Sequence, residues 1–339
     1  MQLTYSEEEL MSEHDDLVPQ VVLGQRVHGG FKPDGSYQPP RALGREVAFE
    51  AWTSALESRG GSVFPAEASL LAGHRVINVE QQRALLRNGL GEWFWNQLTV
   101  IGKIEARGRL LAEVAFPDLQ PVIVEDISEM AIGHLGKGLL LAHGLDEGGV
   151  PAEGIGGHDV MWFVSRDLAF GADRYPDVEP PENIARPDAG SRLMPELPAE
   201  IEGLVSLLTN LLIIEFRAEL GFAESQAILR SPDVFTDRRD EAELAAEVIE
   251  RIRTDELIHV TSLCLYLGEL CSVTFRTVDG GTIAGSELID RYWGGLVQWA
   301  TVDQPAAMGD RVRPEIEAYI ATHDDAVRVQ AEFDSLDGL

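Results

Sequence analysis

The chain has 339 residues with 57 acidic against 27 basic side chains, a formal charge of -30. Hydrophobic residues at 45% and charged residues at 25% are an ordinary globular balance and exclude wholesale disorder. The charge weighs against a nucleic-acid or anionic-membrane partner, and with only Lys32, Lys103 and Lys137 as lysines a lysine-rich binding tail is excluded.

No apolar run approaches the ~18–20 residues of a membrane span. The first 16 residues are acidic, the reverse of a targeting peptide. Cys264 and Cys271 stand seven residues apart in a predicted helix, ~10 Å along its axis and too far for a disulfide. A cytoplasmic location is expected.

In chain order, residues 1–78 read as an irregular arm that wraps a larger body, punctuated by Gly29, Gly30, Pro33, Gly35, Pro39 and Pro40, with one short helix over 45–58. Long helical patterns follow over 79–114, 121–146, 199–230 and 240–275. Short turns at Phe116-Pro117-Asp118 and Ser231-Pro232-Asp233 make each pair antiparallel. Between the pairs, 147–200 is a long crossover carrying a short helix over 159–170. Beyond Asp279-Gly280-Gly281, residues 280–339 form a helical extension with helices over 285–302 and 313–334. No β-rich region is expected. The fold class is all-α, a four-helix bundle over 79–279 made of two antiparallel pairs.

Three of the predicted helices carry acids where the i, i+3/i+4 apolar stripe calls for leucine. The stripes are Leu98, Ile101, Glu105, Gly108, Ala112; Leu204, Leu208, Leu211, Glu215, Glu219, Phe222; and Ile249, Ile252, Glu256, His259, Leu263. An ionised carboxylate in a dry core costs several kcal/mol unless compensated, so three such helices ask for a shared positive charge. Glu256 and His259, at i and i+3, face one way, the Glu-x-x-His element that chelates in dinuclear carboxylate sites. Ile104-Glu105-Ala106-Arg107-Gly108 recurs as Ile214-Glu215-Phe216-Arg217-Ala218, a faint internal repeat. On the second helix the repeat points to Glu129, with His134 at i+5 brought inward by a distortion at Gly133 and Gly136; His158 is another candidate for the missing nitrogen.

On Glu105, Glu129, Glu215 and Glu256-x-x-His259 the stretch 79–275 resembles the ferritin-like di-iron carboxylate superfamily. The resemblance implies a ferritin-like bundle in which Glu105, Glu129, His134, Glu215, Glu256 and His259 hold two Fe ions, or Mn. It further implies oxidation of a small organic substrate by O₂ (hydroxylation, desaturation or N-oxygenation) with an external electron donor. Glu219 is the candidate catalytic acid beside the metals. A homodimer is left open. Three other readings compete: a ferroxidase, an RNA-modifying hydroxylase disfavoured by the charge, and a scaffold whose buried acids pair with Arg107, Arg109 and Arg217.

Overall fold

A computed structural model of the chain describes residues 1–339 except 74–75, 183, 188–189 and 338–339. The arm is more ordered than its glycines and prolines suggest. After the one-turn helix α1 (Glu7–Leu10), β1 (Val18–Val22) and β2 (Gln25–Phe31) form an antiparallel hairpin. Its Leu23-Gly24 turn has both φ positive, at 48° and 82°, the two-residue geometry whose twist suits a hairpin. β3 (Tyr37–Gln38) adds to β2, and α2 (Ala42–Ser58) follows, buried through Trp52 and Leu56.

The predicted helix over 79–114 is two helices, α3 (Val79–Arg87) and α4 (Glu92–Gly108). Gly89, at φ 75°, ends α3: Gly89 N–H returns to the Leu86 carbonyl and Leu90 N–H to that of Leu85, the bonding of a glycine-terminated helix. The predicted helix over 121–146 is helical in the α sense only at its end. Ala131–His134 is a 3₁₀ turn and Leu135–Leu139 a π turn, and α5 (Leu140–Gly148) begins later. The departure from α geometry expected around Gly133 is therefore present.

The segment 147–200 does more than link the halves. Its short strand β4 (Ile155–Gly156) pairs in parallel with β2 and feeds α6 (His158–Phe170), which packs on α4 and on α8 below. Then come α7 (Ala199–Leu229) and α8 (Arg239–Ser272), packed along each other as expected. The hairpin of β5 (Thr274–Arg276) and β6 (Thr282–Ala284) carries Asp279-Gly280-Gly281 in its loop. It leads to α9 (Gly285–Gln298), α10 (Gln304–Ile320) and α11 (Ala326–Ser335), so the second C-terminal helix starts earlier than expected and breaks at 321–325.

The architecture is mostly helical, with two large apolar cores stacked along α7 and α8. One gathers Leu98, Trp162, Phe222, Ile249 and Ile252; the other gathers Trp52, Leu208, Leu212, Phe216, Leu263 and Leu267. Between Ile252 and Leu263 on α8 lies a polar layer, shielded from water at both ends, where charge is poorly screened. No helix among the described residues is long and apolar enough to cross a membrane.

Candidate metal centre

Glu105 of α4, Glu147 of α5, Glu215 of α7 and Glu256 of α8 all end in this layer, none more than 7% exposed. Three histidines join them: His143 one turn before Glu147, His158 at the start of α6, and His259 one turn after Glu256. Two groups have donor atoms within 4.8 Å of one another, His143, Glu147, Glu215 and His259, and Glu105, Glu147, His158 and Glu256. Each could hold a metal ion.

Two carboxylates face both groups. Glu147 sets Oε1 3.3 Å from His259 Nδ1 and Oε2 3.7 Å from His158 Nδ1. Glu256 sets Oε2 2.7 Å from His259 Nδ1 and Oε1 3.0 Å from His158 Nδ1. Close helix packing makes this reachable: a Cβ at position 108 would lie 2.5 Å from Glu147 Cγ, so Gly108 admits Glu147 beside the turn bearing Glu105.

The imidazoles are held crosswise. Asp146, next to Glu147, accepts from His259 Nε2 at 3.2 Å; Asp255, next to Glu256, accepts from His158 Nε2 at 3.3 Å. A carboxylate only accepts, so each ring carries its proton on Nε2 and turns Nδ1 to the cluster when neutral. The two aspartates are balanced differently. Asp146 is gripped by the buried guanidiniums of Arg41 and Arg45 at the head of α2, the latter at 2.8 Å. Asp255 Oδ2 instead takes His28 Nε2 of β2 and the Tyr37 hydroxyl of β3, each at 3.0 Å. His28, His158 and Asp255 also bring donor atoms within 4.8 Å of one another. Hydrogen bonds already join them, so the trio serves as a support for His158.

Electrostatics divides the acids. Burial, then repulsion from Glu147, raises the Glu105 carboxyl well above its ordinary value, and burial with Glu256 does the same to Glu215. Burial opposes ionisation of Glu147 too, but hydrogen bonds from Glu105, His143, His158 and His259 hold it well below the usual range. Burial likewise disfavours the imidazolium forms of His158 and His259, yet Glu256 and their other carboxylate partners keep both well above ordinary histidine. In the metal-free cluster, Glu105, Glu215, His158 and His259 thus hold protons more firmly than ordinary side chains of their kind, while Glu147 gives its proton up more readily.

The donor set fits such ions on a second count. His158 Nδ1 and Glu256 Oε1 are buried and 3.0 Å apart, yet neither makes a well-formed hydrogen bond among the described residues. A proton on Nδ1 offsets the carboxylate in the metal-free chain, and once it is lost a cation between the two atoms would satisfy both.

The structure brings Glu105, Glu215, Glu256 and His259 together, and with them His158. It does not bring Glu129, His134 or Glu219. Glu129 is exposed in a turn, because the helix expected to carry it starts eleven residues later at Leu140. His134 is buried elsewhere: Nδ1 meets the Met130 carbonyl at 2.7 Å, Nε2 accepts from Tyr5 N–H, and the ring packs on Trp52. Glu219 lies one turn, about 6 Å, beyond Glu215 along α7; both its oxygens bind Arg253 of α8, at 2.6 and 3.1 Å. No stripe or motif singles out Glu147, Asp146, Arg41, Arg45 or His28, and His143, on one helix with Glu129, reads as ~20 Å too far along the axis to share a metal with it, whereas its helix begins only at Leu140. Two fainter signals point to Glu147. The dipeptide Asp146-Glu147 echoes Asp255-Glu256, and Glu147 follows Glu105 by 42 positions, as Glu256 follows Glu215 by 41.

No family model matches the sequence, and no curated protein or solved structure matches it either.

Proposed function

We propose that the chain is a dinuclear metal enzyme, a di-iron carboxylate protein of the ferritin-like kind, that uses O₂ to oxidise a small organic substrate. One observation carries this reading: two Asp-Glu dipeptides, on α5 and α8, cross over so that each aspartate orients the other half's histidine, while Glu147 belongs to both metal-capable groups and Glu256 sets one oxygen on the histidine of each. A two-fold repeated set of four glutamates and two histidines suits two ions of the Fe or Mn type, which favour mixed carboxylate and imidazole ligation over thiolate.

In this reading Glu105 and His158 serve one ion and Glu215 and His259 the other, with Glu147 and Glu256 between them. Bound there, the pair would supply the two electrons for reduction of O₂ and would be re-reduced by an external donor. The chain itself does the rest. Asp146 and Asp255 fix the imidazole tautomers, and Arg41 and Arg45 keep Asp146 ionised. The apolar cores on either side exclude water. Glu105, Glu215, His158 and His259, which hold their protons firmly, would give them up to bind the ions.

A scaffold with arginine-paired acids has less support. Arg107 donates to the Pro181 carbonyl and Arg109 to that of Gly149, while Glu105, Glu147, Glu215 and Glu256 face imidazoles. The test is to load the metal-free chain anaerobically with Fe(II), admit O₂, and follow uptake and visible absorbance. The expected result is uptake of one O₂ per two irons with a new near-ultraviolet or visible band. Iron that remains ferrous, or oxidises no faster than free Fe(II), counts against an oxidase.

A further inference from the structure

The two metal-capable groups are not equivalent, and the difference is His143. It sits on α5 one turn before Glu147, 3% exposed, with Nε2 3.2 Å from Glu215 Oε1 and 3.5 Å from Glu147 Oε1. His259 Nδ1 faces the same two oxygens, at 3.8 Å from Glu215 Oε1 and 3.3 Å from Glu147 Oε1. The two rings stack nearly parallel, with centroids 3.8 Å apart and planes 10° from each other. Two imidazole nitrogens and two carboxylate oxygens thus converge on one pocket. The other pocket, of Glu105, Glu147, His158 and Glu256, has a single imidazole. Glu147 and Glu256 serve both, so they cannot level the difference.

We infer that His143 is a third imidazole ligand that makes the two positions unequal: a nitrogen-rich position at His143, Glu215 and His259 fills first and holds its ion, and a carboxylate-rich position at Glu105 and His158 fills second and exchanges. The inference rests on the dinuclear reading above. Its physical basis is that borderline divalent ions gain from each added imidazole, and that a site with one more protein donor leaves one less position to water. A purely structural His143 would be a ring that packs on His259 and donates a hydrogen bond to Glu215. The two roles part when the ring is kept and the nitrogen removed.

The probe is Co(II), titrated into the metal-free full chain and followed by calorimetry and by its visible d–d bands. The wild type should bind two ions in two steps, the first at least about 10-fold tighter, since losing even a supporting residue costs that much in metal affinity. His143→Phe retains a ring against His259 without a donor and should weaken the first step by about 10- to 100-fold while changing the second little. His143→Ala should do the same if Phe proves too bulky. His158→Ala should abolish the second step and spare the first. Two equal steps in the wild type, or a first step unmoved by both His143 variants, would overturn the inequality while leaving the dinuclear reading intact. A chain that binds no Co(II) would overturn both.

Discussion

Asp146 Oδ2 lies 3.2 Å from Nε2 of His259, so an acid on α5 aims an imidazole carried by α8, and Asp255 answers from α8 to His158. The pair is symmetric in role and unequal in setting. Asp146 is the counter-ion of two buried arginines, Arg41 and Arg45, whereas Asp255 is held by a hydroxyl and a second histidine. Asp146→Asn therefore leaves buried guanidinium charge uncompensated, which costs about 3–5 kcal/mol. Asp255→Asn weakens hydrogen bonds to a hydroxyl and to two imidazoles but strands no guanidinium, about 1–3 kcal/mol. Urea unfolding of the two metal-free variants should show Asp146→Asn as the weaker protein, and both should bind metal about 10- to 100-fold less tightly.

Glu147 and Glu129 form a contrasting pair. Glu147 faces both metal-capable groups, so Glu147→Ala should reduce bound metal at both positions. Glu129 is exposed in a turn, and Glu129→Ala should leave metal content unchanged and stability within about 0.5 kcal/mol. Metal analysis of the two purified variants separates the assignments: loss in Glu129→Ala with retention in Glu147→Ala would reverse them.

That contrast shows where the sequence was readable. Glu105, Glu215, Glu256 and His259 interrupt long amphipathic stripes, and periodicity alone exposes them. Glu147 sits near the end of a nine-residue helix that begins after turns of 3₁₀ and π type, too short for a stripe to form. His158 reaches the cluster because β4 pairs with β2 and starts α6 at that residue, a long-range placement that local pattern cannot carry. β1 and β2 hid for a similar reason: Gly29 and Gly30 read as turn chemistry, though both lie within β2, Gly30 opposite Pro19 and Gly29 at the register shift of the hairpin.

Loading should release protons. Glu105, Glu215, His158 and His259 all hold theirs more firmly than ordinary side chains of their kind. Each must lose one to bind a cation, so affinity rises with pH and falls as the medium is acidified. Calorimetry in two buffers of different ionisation enthalpy should report net proton release on loading with divalent ions. Release near zero would mean that the ions bind elsewhere.

Glu269 offers a pH test away from the metals. It is fully buried, accepts from Ile132 N–H at 2.9 Å, and burial raises its carboxyl to about 7 from 4.5. Below the ordinary value both folded and unfolded chains hold the proton, and Glu269 contributes nothing to the pH dependence. Between the two values only the folded chain holds it, so stability declines as pH rises and levels off above about 7. The full penalty is about 3 kcal/mol. Glu269→Gln should be more stable than the wild type at pH 8 by an amount approaching that figure and nearly equal to it in stability near pH 4, by urea unfolding. An equal gain at both pH values would point to packing.

Two ions held between Glu147 and Glu256 are the centre of the proposed chemistry. Anomalous diffraction at the iron edge, from crystals of the full chain loaded anaerobically with Fe(II), tests it most directly. The prediction is two peaks about 3.5–4 Å apart, one beside His143, Glu215 and His259 and the other beside Glu105 and His158. A single peak, or peaks away from Glu147, would contradict it.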